Sequence, residues 1–359
     1  MIIRKAIILI FAVVNFLFSA EGSDPLILNH ADGFEYIDRG GVRIQRLTGR
    51  VSITYKGLLI KSDTVLNDAS AGRLEFFNKV TMVDTTDRYL RANRLVYFKK
   101  SSTAEARGSI EVIDTSDKMT LTGDEGYYAK EGKITKITRK PVLQKLDSAG
   151  GDTLNITSKV MEHYGSLKKS IAMSSVVIRQ GNMFAYCDRS EYMHKEGIIT
   201  LFGNPRIEYE DDRIAGDTIH LYIENDTIRE FRSVGKANAL FLDSSATTRM
   251  NADTIVAFLK DRKVRQADLY GKAKTANFNS NDTAKVNTLA AKRIRFYIDK
   301  NAVDSMHAFS NAAAVYVHDD SGDRGRNETS GDSLYFYFKN KKIDRILAKG
   351  AIRGLYFGQ

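Results

Sequence analysis

Ile214-Ala215-Gly216-Asp217-Thr218-Ile219-His220-Leu221-Tyr222-Ile223 is the stretch whose reading decides the fold. From Ile219 onward its aliphatic residues stand two apart, the period of a strand with one buried face, whereas a helix needs spacings of three and four. A turn at Asn225-Asp226 follows, then a second strand signal in Ile228-Arg229-Glu230-Phe231, then Gly235-Lys236-Ala237. Gly in that place suits a bulge or corner where the chain folds over to the next strand. The unit is a β-hairpin with one or two short strands appended.

Outward from this stretch the unit returns, nine times between about Ser62 and Ile352. Its opening pairs are Ser62-Asp63, Ala92-Asn93, Gly123-Asp124, Thr157-Ser158, Cys187-Asp188, Gly216-Asp217, Ala252-Asp253, Ala291-Lys292 and Gly331-Asp332. Successive anchors are 30, 31, 34, 30, 29, 36, 39 and 40 residues apart. Two residues after the anchor stand Val65, Leu95, Val160, Ile219, Ile255, Ile294 and Leu334. Four residues after it stand Tyr97, Tyr128, Tyr192, Leu221, Ala257, Phe296 and Phe336, and Ile223 and Phe338 prolong two of the runs. Gly126, Ser190 and Glu162 break the pattern in units three, five and four. A period of this length means a stacked array in which no unit buries its apolar face without a neighbour. The expected fold is all-β and antiparallel, one repeat-built domain over residues 23–359. Three prolines in 359 residues fit a continuous sheet system.

Residues 1–22 read as a secretory signal. Arg4 and Lys5 precede the apolar run from Ala6 to Phe18, which is shorter than the roughly 20 residues that span a bilayer. Small residues at Ala20 and Gly22 place cleavage after Gly22. Retention of residues 6–18 as an anchor is the variant. Cys187 is the sole cysteine, in a slot that other units fill with Ser, Ala or Gly, so it reads as a small buried residue and not as a nucleophile. The net charge of +10 points to anionic partners such as phosphate-bearing lipids. Many of these cations also solvate turns and blunt strand edges.

Catalysis finds no support in the residues. None of the six histidines shows local metal-ligand spacing, although stacked units could bring His163 and His194 together. His318-Asp319-Asp320-Ser321-Gly322-Asp323 has the acidic look of a calcium loop but lacks its terminal Glu, and reads as a hairpin tip. No phosphate-binding, dinucleotide or nucleophile-elbow motif occurs. No enzymatic activity, cofactor, metal site or nucleic-acid partner is expected. What remains is the inward apolar stripe, which serves equally as a sealed core or as a groove for acyl chains.

Small-Asp-x-aliphatic-x-aromatic, a turn, Ile/Val-x-x-apolar and Gly-x-Ala/Val together resemble the OstA-like (LptA-like) family. The clearest stretches are Ile214 to Ala237, Asn251 to Ala273 and Gly331 to Ile352, and the resemblance covers about residues 45–355. That family comprises the periplasmic bridge proteins of lipopolysaccharide transport and the periplasmic domain of the outer-membrane translocon. The resemblance implies an elongated antiparallel β-jellyroll, open and V-shaped, that passes lipopolysaccharide or a related anionic glycolipid toward the outer membrane. It implies an acyl groove at Val65, Leu95, Tyr97, Ile219, Leu221, Ile223, Ile255, Ile294, Phe296, Leu334, Phe336 and Phe338. It further implies end-to-end strand pairing with other OstA-like jellyrolls, for which Arg43 to Tyr55 and Ala351 to Phe357 are the candidate strands. A secreted structural repeat protein with a closed core and no lipid cargo is the alternative.

Overall fold

Alternating burial, the signature of a strand with one dry face, recurs through almost every segment of the computed structural model. The structure describes residues 25–358, apart from 86–87, 117, 147–152, 226, 243–245, 262, 280–281, 300–301, 321–322 and 341. The residues read as a signal, 1–22, lie outside the described residues. The chain is all-β, antiparallel and jellyroll-like, and forms two compact units that meet in sequence at Ser116 and Asp117.

The first unit contains β1 (Ile27–His30), β2 (Gly33–Arg39), β3 (Val42–Tyr55), β4 (Leu58–Asp68), β5 (Arg73–Thr85), β6 (Arg88–Phe98) and β7 (Thr103–Asp114). Each of β3 to β7 pairs with its sequence neighbour, an up-and-down meander. The second unit begins with β8 (Met119–Ala129), β9 (Ile134–Thr138), β10 (Val142–Lys145), β11 (Leu154–Thr157) and β12 (Val160–Tyr164). It continues with β13 (Lys169–Gln180), β14 (Met183–Met193), β15 (Ile198–Phe202), β16 (Arg206–Tyr209), β17 (Asp212–Ala215) and β18 (Thr218–Glu224). Six long strands follow: β19 (Thr227–Leu242), β20 (Ala246–Lys260), β21 (Lys263–Asn279), β22 (Asp282–Asp299), β23 (Ala302–Asp320) and β24 (Asp323–Lys339). β25 (Lys342–Lys349) and β26 (Arg353–Gly358) close it.

The glycine of the repeat makes the corner. Gly235-Lys236 and Gly271-Lys272 are consecutive residues at positive φ, and the ladder skips register there, between Val234 and Ala237 and between Tyr270 and Ala273. The first residue of each pair has no room for a side chain. A Cβ on Gly235 or Gly271 would run into Asp217 or Asp253, the anchors of the preceding strands. Asp217 also donates its N–H to the Gly235 carbonyl at 2.8 Å, and Asp332 does the same to Gly350 at 2.9 Å. Anchor and glycine, 18 residues apart in these units, are therefore one contact seen twice in the sequence. Each bulge bends its strand, so the two halves of one strand belong to two facing walls.

A tenth unit escaped the sequence reading. Ala31-Asp32 is its anchor and Gly49-Arg50 its bulge: Asp32 donates to the carbonyls of Thr48 and Gly49, and its carboxylate meets Arg50 at 2.8 Å. This unit corrects the docking strand inferred for the N-terminal side. β3, which holds Arg43 to Tyr55, is covered by β1 and β2 on one edge and β4 on the other. The residues left at this margin are Ile27, Leu28, Phe34 and Tyr36, all about half exposed. At the other end, β26 pairs only with β24 among the described residues, and Ile352, Leu355, Tyr356 and Phe357 are exposed. Ala351 to Phe357, the second candidate strand, thus has an exposed apolar margin.

Unit four needs a second correction. Its corner contact comes from Lys159, which donates to Ser174 at 3.1 Å, so the inward residues are Met161 and His163, not Val160 and Glu162. Glu162 instead faces outward, against Lys136 at 3.1 Å and the Tyr164 hydroxyl at 2.7 Å. An extra residue before the strand flips every side chain to the other face.

Candidate functional site

In the first unit Val65, Leu95 and Tyr97 lie on the inner face and are fully buried. The opposite wall answers them with large side chains: Val51 and Ile53 on β3, Leu58 and Ile60 on β4, Val80 and Met82 on β5, Ile110 and Val112 on β7. Large meets large, and this part of the interior is a sealed core.

The second unit changes along its length. Around β9 to β14 the interior carries a polar row: Thr135, His163, Ser170 and Tyr192 are cross-strand neighbours, and all four are buried. Ser170 Oγ lies 3.0 Å from His163 Nδ1 and 2.8 Å from His194 Nε2, with the two rings 5.6 Å apart. Lys145, from β10, donates to the Tyr192 hydroxyl at 3.1 Å. The stacking of units does bring the two histidines together. Among the described residues no group of three or more His, Cys, Asp or Glu is placed to hold a metal. The side chains from His318 to Asp323 lie outside the described residues. Cys187 is buried and its thiol is pushed up to about 12 by that burial, which removes the thiolate a nucleophile would need.

From β19 onward the unit is hollow. A cavity of ≈ 600 Å³ is lined from one wall by Phe296, Met306, Phe336 and Phe338, and from the other by Thr248, Thr275, Asn277 and Asn287. A smaller one of ≈ 210 Å³, lined by Met183, Ile207, Ile214 and Phe231, shares Tyr209, Asp212, Phe241 and Val264 with it. Residues from both sides of a bulge in one strand (Ala267 and Thr275 on β21, Phe296 and Asn287 on β22) reach the same space, as two facing walls require.

The strand register explains the hollow. On the first wall, three inward rows run across β18 to β25. The row nearest the corner is Ile219, Ser233, Ile255, Leu269, Ile294, Ala308 and Leu334. The next holds Leu221, Phe231, Ala257, Ala267, Phe296, Met306 and Phe336. The last holds Ile223, Ile228, Leu259, Val264, Ile298, Val303, Phe338 and Ile343. Apart from Ser233, whose hydroxyl donates to the Ala215 carbonyl at 2.9 Å, this wall is apolar out to its rim. The second wall starts at the corner with Ala237, Ala252, Ala273, Ala291, Ala312 and Gly331, where the first unit has Val51, Ser62, Val80, Ala92 and Ile110: the slot before the anchor is small in both, and the slot after the bulge changes from Val or Ile to Ala. Its next row includes Met250, Thr275 and Leu289, and its outermost includes Thr248, Asn277 and Asn287. Small residues pack the corner, and the cavity lies beyond them, with Thr248, Thr275, Asn277 and Asn287 on its far side.

Of the proposed groove residues, the structure places Phe296, Phe336 and Phe338 on the cavity. Ile219, Leu221, Ile255, Ile294 and Leu334 sit on the same wall but are buried beneath it, and Ile223 is half-buried at the rim. Val65, Leu95 and Tyr97 belong to the sealed core. The second wall, with Thr275, Asn277 and Asn287, was absent from the sequence reading. Its signal is an inward slot two residues beyond the Gly-x-Ala corner that turns from aliphatic to Thr and Asn.

Rim and outer face set the electrostatics. Lys263 and Lys342 line the cavity together with Glu210, Asp211 and Asp212, so its mouth carries both signs. Burial pushes the Asp212 carboxyl up, against the Leu242 N–H that it accepts. On the outer face Arg295 grips Asp268 with two bonds, of 2.6 and 2.9 Å, and Arg293 and the Tyr270 hydroxyl add to them. Burial raises the Asp268 carboxyl, but these partners outweigh it and hold the group below the usual carboxylate range. Arg293 and Arg295 are thereby committed to the wall itself and not to a ligand.

No family model and no curated protein sequence matches this chain. Among solved structures it is similar to LptH from Pseudomonas aeruginosa, described as the LptA homologous periplasmic component of the conserved lipopolysaccharide transport device. The alignment has 13% identity, covers 32% of this chain and 82% of that one, and has a TM-score of 0.30. No helix among the described residues is long and apolar enough to cross a membrane.

Proposed function

We propose that this chain is an exported, non-enzymatic lipid-binding jellyroll that takes the acyl chains of lipopolysaccharide or a related anionic glycolipid on their way to the outer membrane. The observation that carries this reading is the cavity of ≈ 600 Å³ under Phe296, Phe336 and Phe338, of a size that suits a lipid chain. An acyl chain entering from water gains about 0.8 kcal/mol per buried CH₂. The OstA-like sequence pattern supplies the periplasmic setting, and the apolar margins at β1–β2 and β26 suit end-to-end strand addition by similar jellyrolls. Under this reading cargo sits in the hollow part of the second unit, and the first unit serves as a packed spacer.

One observation favours the alternative of a structural repeat protein: the first unit's interior is closed, with Ile53, Leu58, Ile60 and Leu74 wholly buried. Purifying the protein from its own cell envelope and extracting it for lipid analysis separates the two readings. Stoichiometric glycolipid is the expected result. Lipid-free protein, folded and correctly exported, refutes the lipid reading and leaves the structural one.

A further inference from the structure

The outward face of the β22–β25 wall departs from the polar character usual in a sheet face turned to water. Tyr297, His307, Phe309, Tyr335 and Tyr337, on three adjacent strands, gather there into one cluster. The His307 ring lies edge-on at 5.0 Å from Tyr335, 5.1 Å from Tyr297 and 6.0 Å from Tyr337, and Phe309 lies 5.9 Å from Tyr335. Strand register produces the cluster: His307 stands opposite Tyr335, and Tyr297 and Tyr337 stand on either side of Ser305. In the first unit the matching row reads Leu66, Glu75, Val96 and Glu105. All five rings are half-buried, so they pave the surface and do not protrude from it.

Cations border the rings. Arg345 lies over Tyr337 at 4.3 Å and Lys349 over Tyr335 at 5.3 Å. Both are exposed and neither has a carboxylate partner among the described residues. Arg293 and Arg295, by contrast, are held by Asp268. Burial and the nearby Arg295 lower the pKa of His307, so the centre of the cluster is neutral at pH 7. Aromatic surface edged by free positive charge is complementary to a polymer with C–H groups on its faces and negative charge along it.

We propose that this face binds an extended, carboxylate-bearing polysaccharide, the structural glycan of the cell wall, separately from whatever the cavity holds. Sugar C–H groups lie against the rings, whose faces are electron-rich. The carboxylates draw Arg345 and Lys349 into charge-assisted pairs. Phe296 and Phe336 point to the opposite side of the same strands, so a lipid seated in the cavity does not reach this site. A membrane surface is the poorer match, since it calls for apolar side chains that sink into it. The inference takes the exported setting of the proposed function but not its cargo.

The test is co-sedimentation of the full chain without its signal with purified peptidoglycan sacculi, at about 0.15 M salt to screen long-range attraction. Binding is expected, and amidating the carboxylates of the sacculi should weaken it about tenfold. Y335S/Y337S and R345E/K349E, checked for folding by circular dichroism, should each weaken it about tenfold while leaving lipid content unchanged. K61E/K274E makes the same charge change at exposed residues elsewhere and should bind as the parent does. Equal losses in the two charge variants, or full binding by Y335S/Y337S, overturn the proposal and leave adventitious charge attraction. Folded parent protein that does not sediment with sacculi also overturns it, and parallel runs with phosphatidylglycerol vesicles and oligothymidylate then show whether the face takes a membrane or a nucleic acid instead. None of these outcomes bears on lipid extracted from the cavity, so this proposal and the lipid-binding reading fail separately.

Discussion

The first unit and the β19–β25 part of the second are made from one repeat and differ in what faces the corner. In the first, Leu95 and Tyr97 meet Ile53, Ile60 and Met82 across the interior, and the space between them is filled. In the second, Phe296 and Phe336 meet Ala, Thr and Asn, and the space is open. The backbone device is unchanged: Asn93 against Gly108 in one, Asp253 against Gly271 in the other. Corner geometry and interior filling are separately encoded. A repeat can therefore keep its fold while its inward rows change from large aliphatic residues to Ala, Thr and Asn.

Substitutions that treat the two regions alike should give unlike results. The largest effect is expected from Leu95→Ala, at about 2–5 kcal/mol of unfolding free energy, with lipid content unaltered; chemical denaturation measures it. Next is Asp268→Asn, which leaves Arg295 facing a neutral partner beneath the hollow wall and should cost about 2–4 kcal/mol at neutral pH. Because the folded carboxyl lies below its ordinary value, its contribution is present above the unfolded value and is lost as pH falls through the lowered one. The parent and D268N should therefore converge in acid. Melting curves across that range check the convergence.

Smaller effects are expected from a matched pair. Ala104 and Ala267 occupy equivalent inward slots, opposite Tyr97 and Phe296 in their ladders, and both are buried. Ala104→Leu overfills a sealed core and should cost about 1–3 kcal/mol, whereas Ala267→Leu has a cavity to grow into and should stay within about 1 kcal/mol. The second substitution should reduce lipid occupancy and the first should not, as lipid extraction from both proteins will show. The mildest is Phe338→Ala, at a half-buried rim residue. It should alter the melting temperature little and still lower lipid occupancy.

The wall facing the corner was legible in the sequence because its signal is strong. Ile219, Leu221, Phe296 and Phe336 alternate strictly, and each follows its anchor at a fixed distance. The corner itself was legible as a glycine. Its partner was legible as an aspartate, although the contact between them appears only in three dimensions. Ala31-Asp32 was overlooked because Phe34 is aromatic where other units are aliphatic, and both Phe34 and Tyr36 occupy a margin. In unit four, one extra residue shifted the register, and alternation alone cannot signal a shift between Val160 and Met161, since both are apolar. The cavity could not be read at all from the first wall. A void is a relation between two walls, and Thr275 or Asn277 taken singly looks like an outward strand residue.

The most direct test of the lipid-binding reading is site-specific photo-crosslinking in the native cell. Probes go at Phe338 on the cavity rim, at Tyr337 on the outer face of the same strand, and at Leu95 in the sealed unit. A glycolipid adduct at Phe338 alone is the expected result. Its absence there in folded, exported protein, or an equal adduct at Leu95, would contradict a cargo site confined to the hollow part of the second unit.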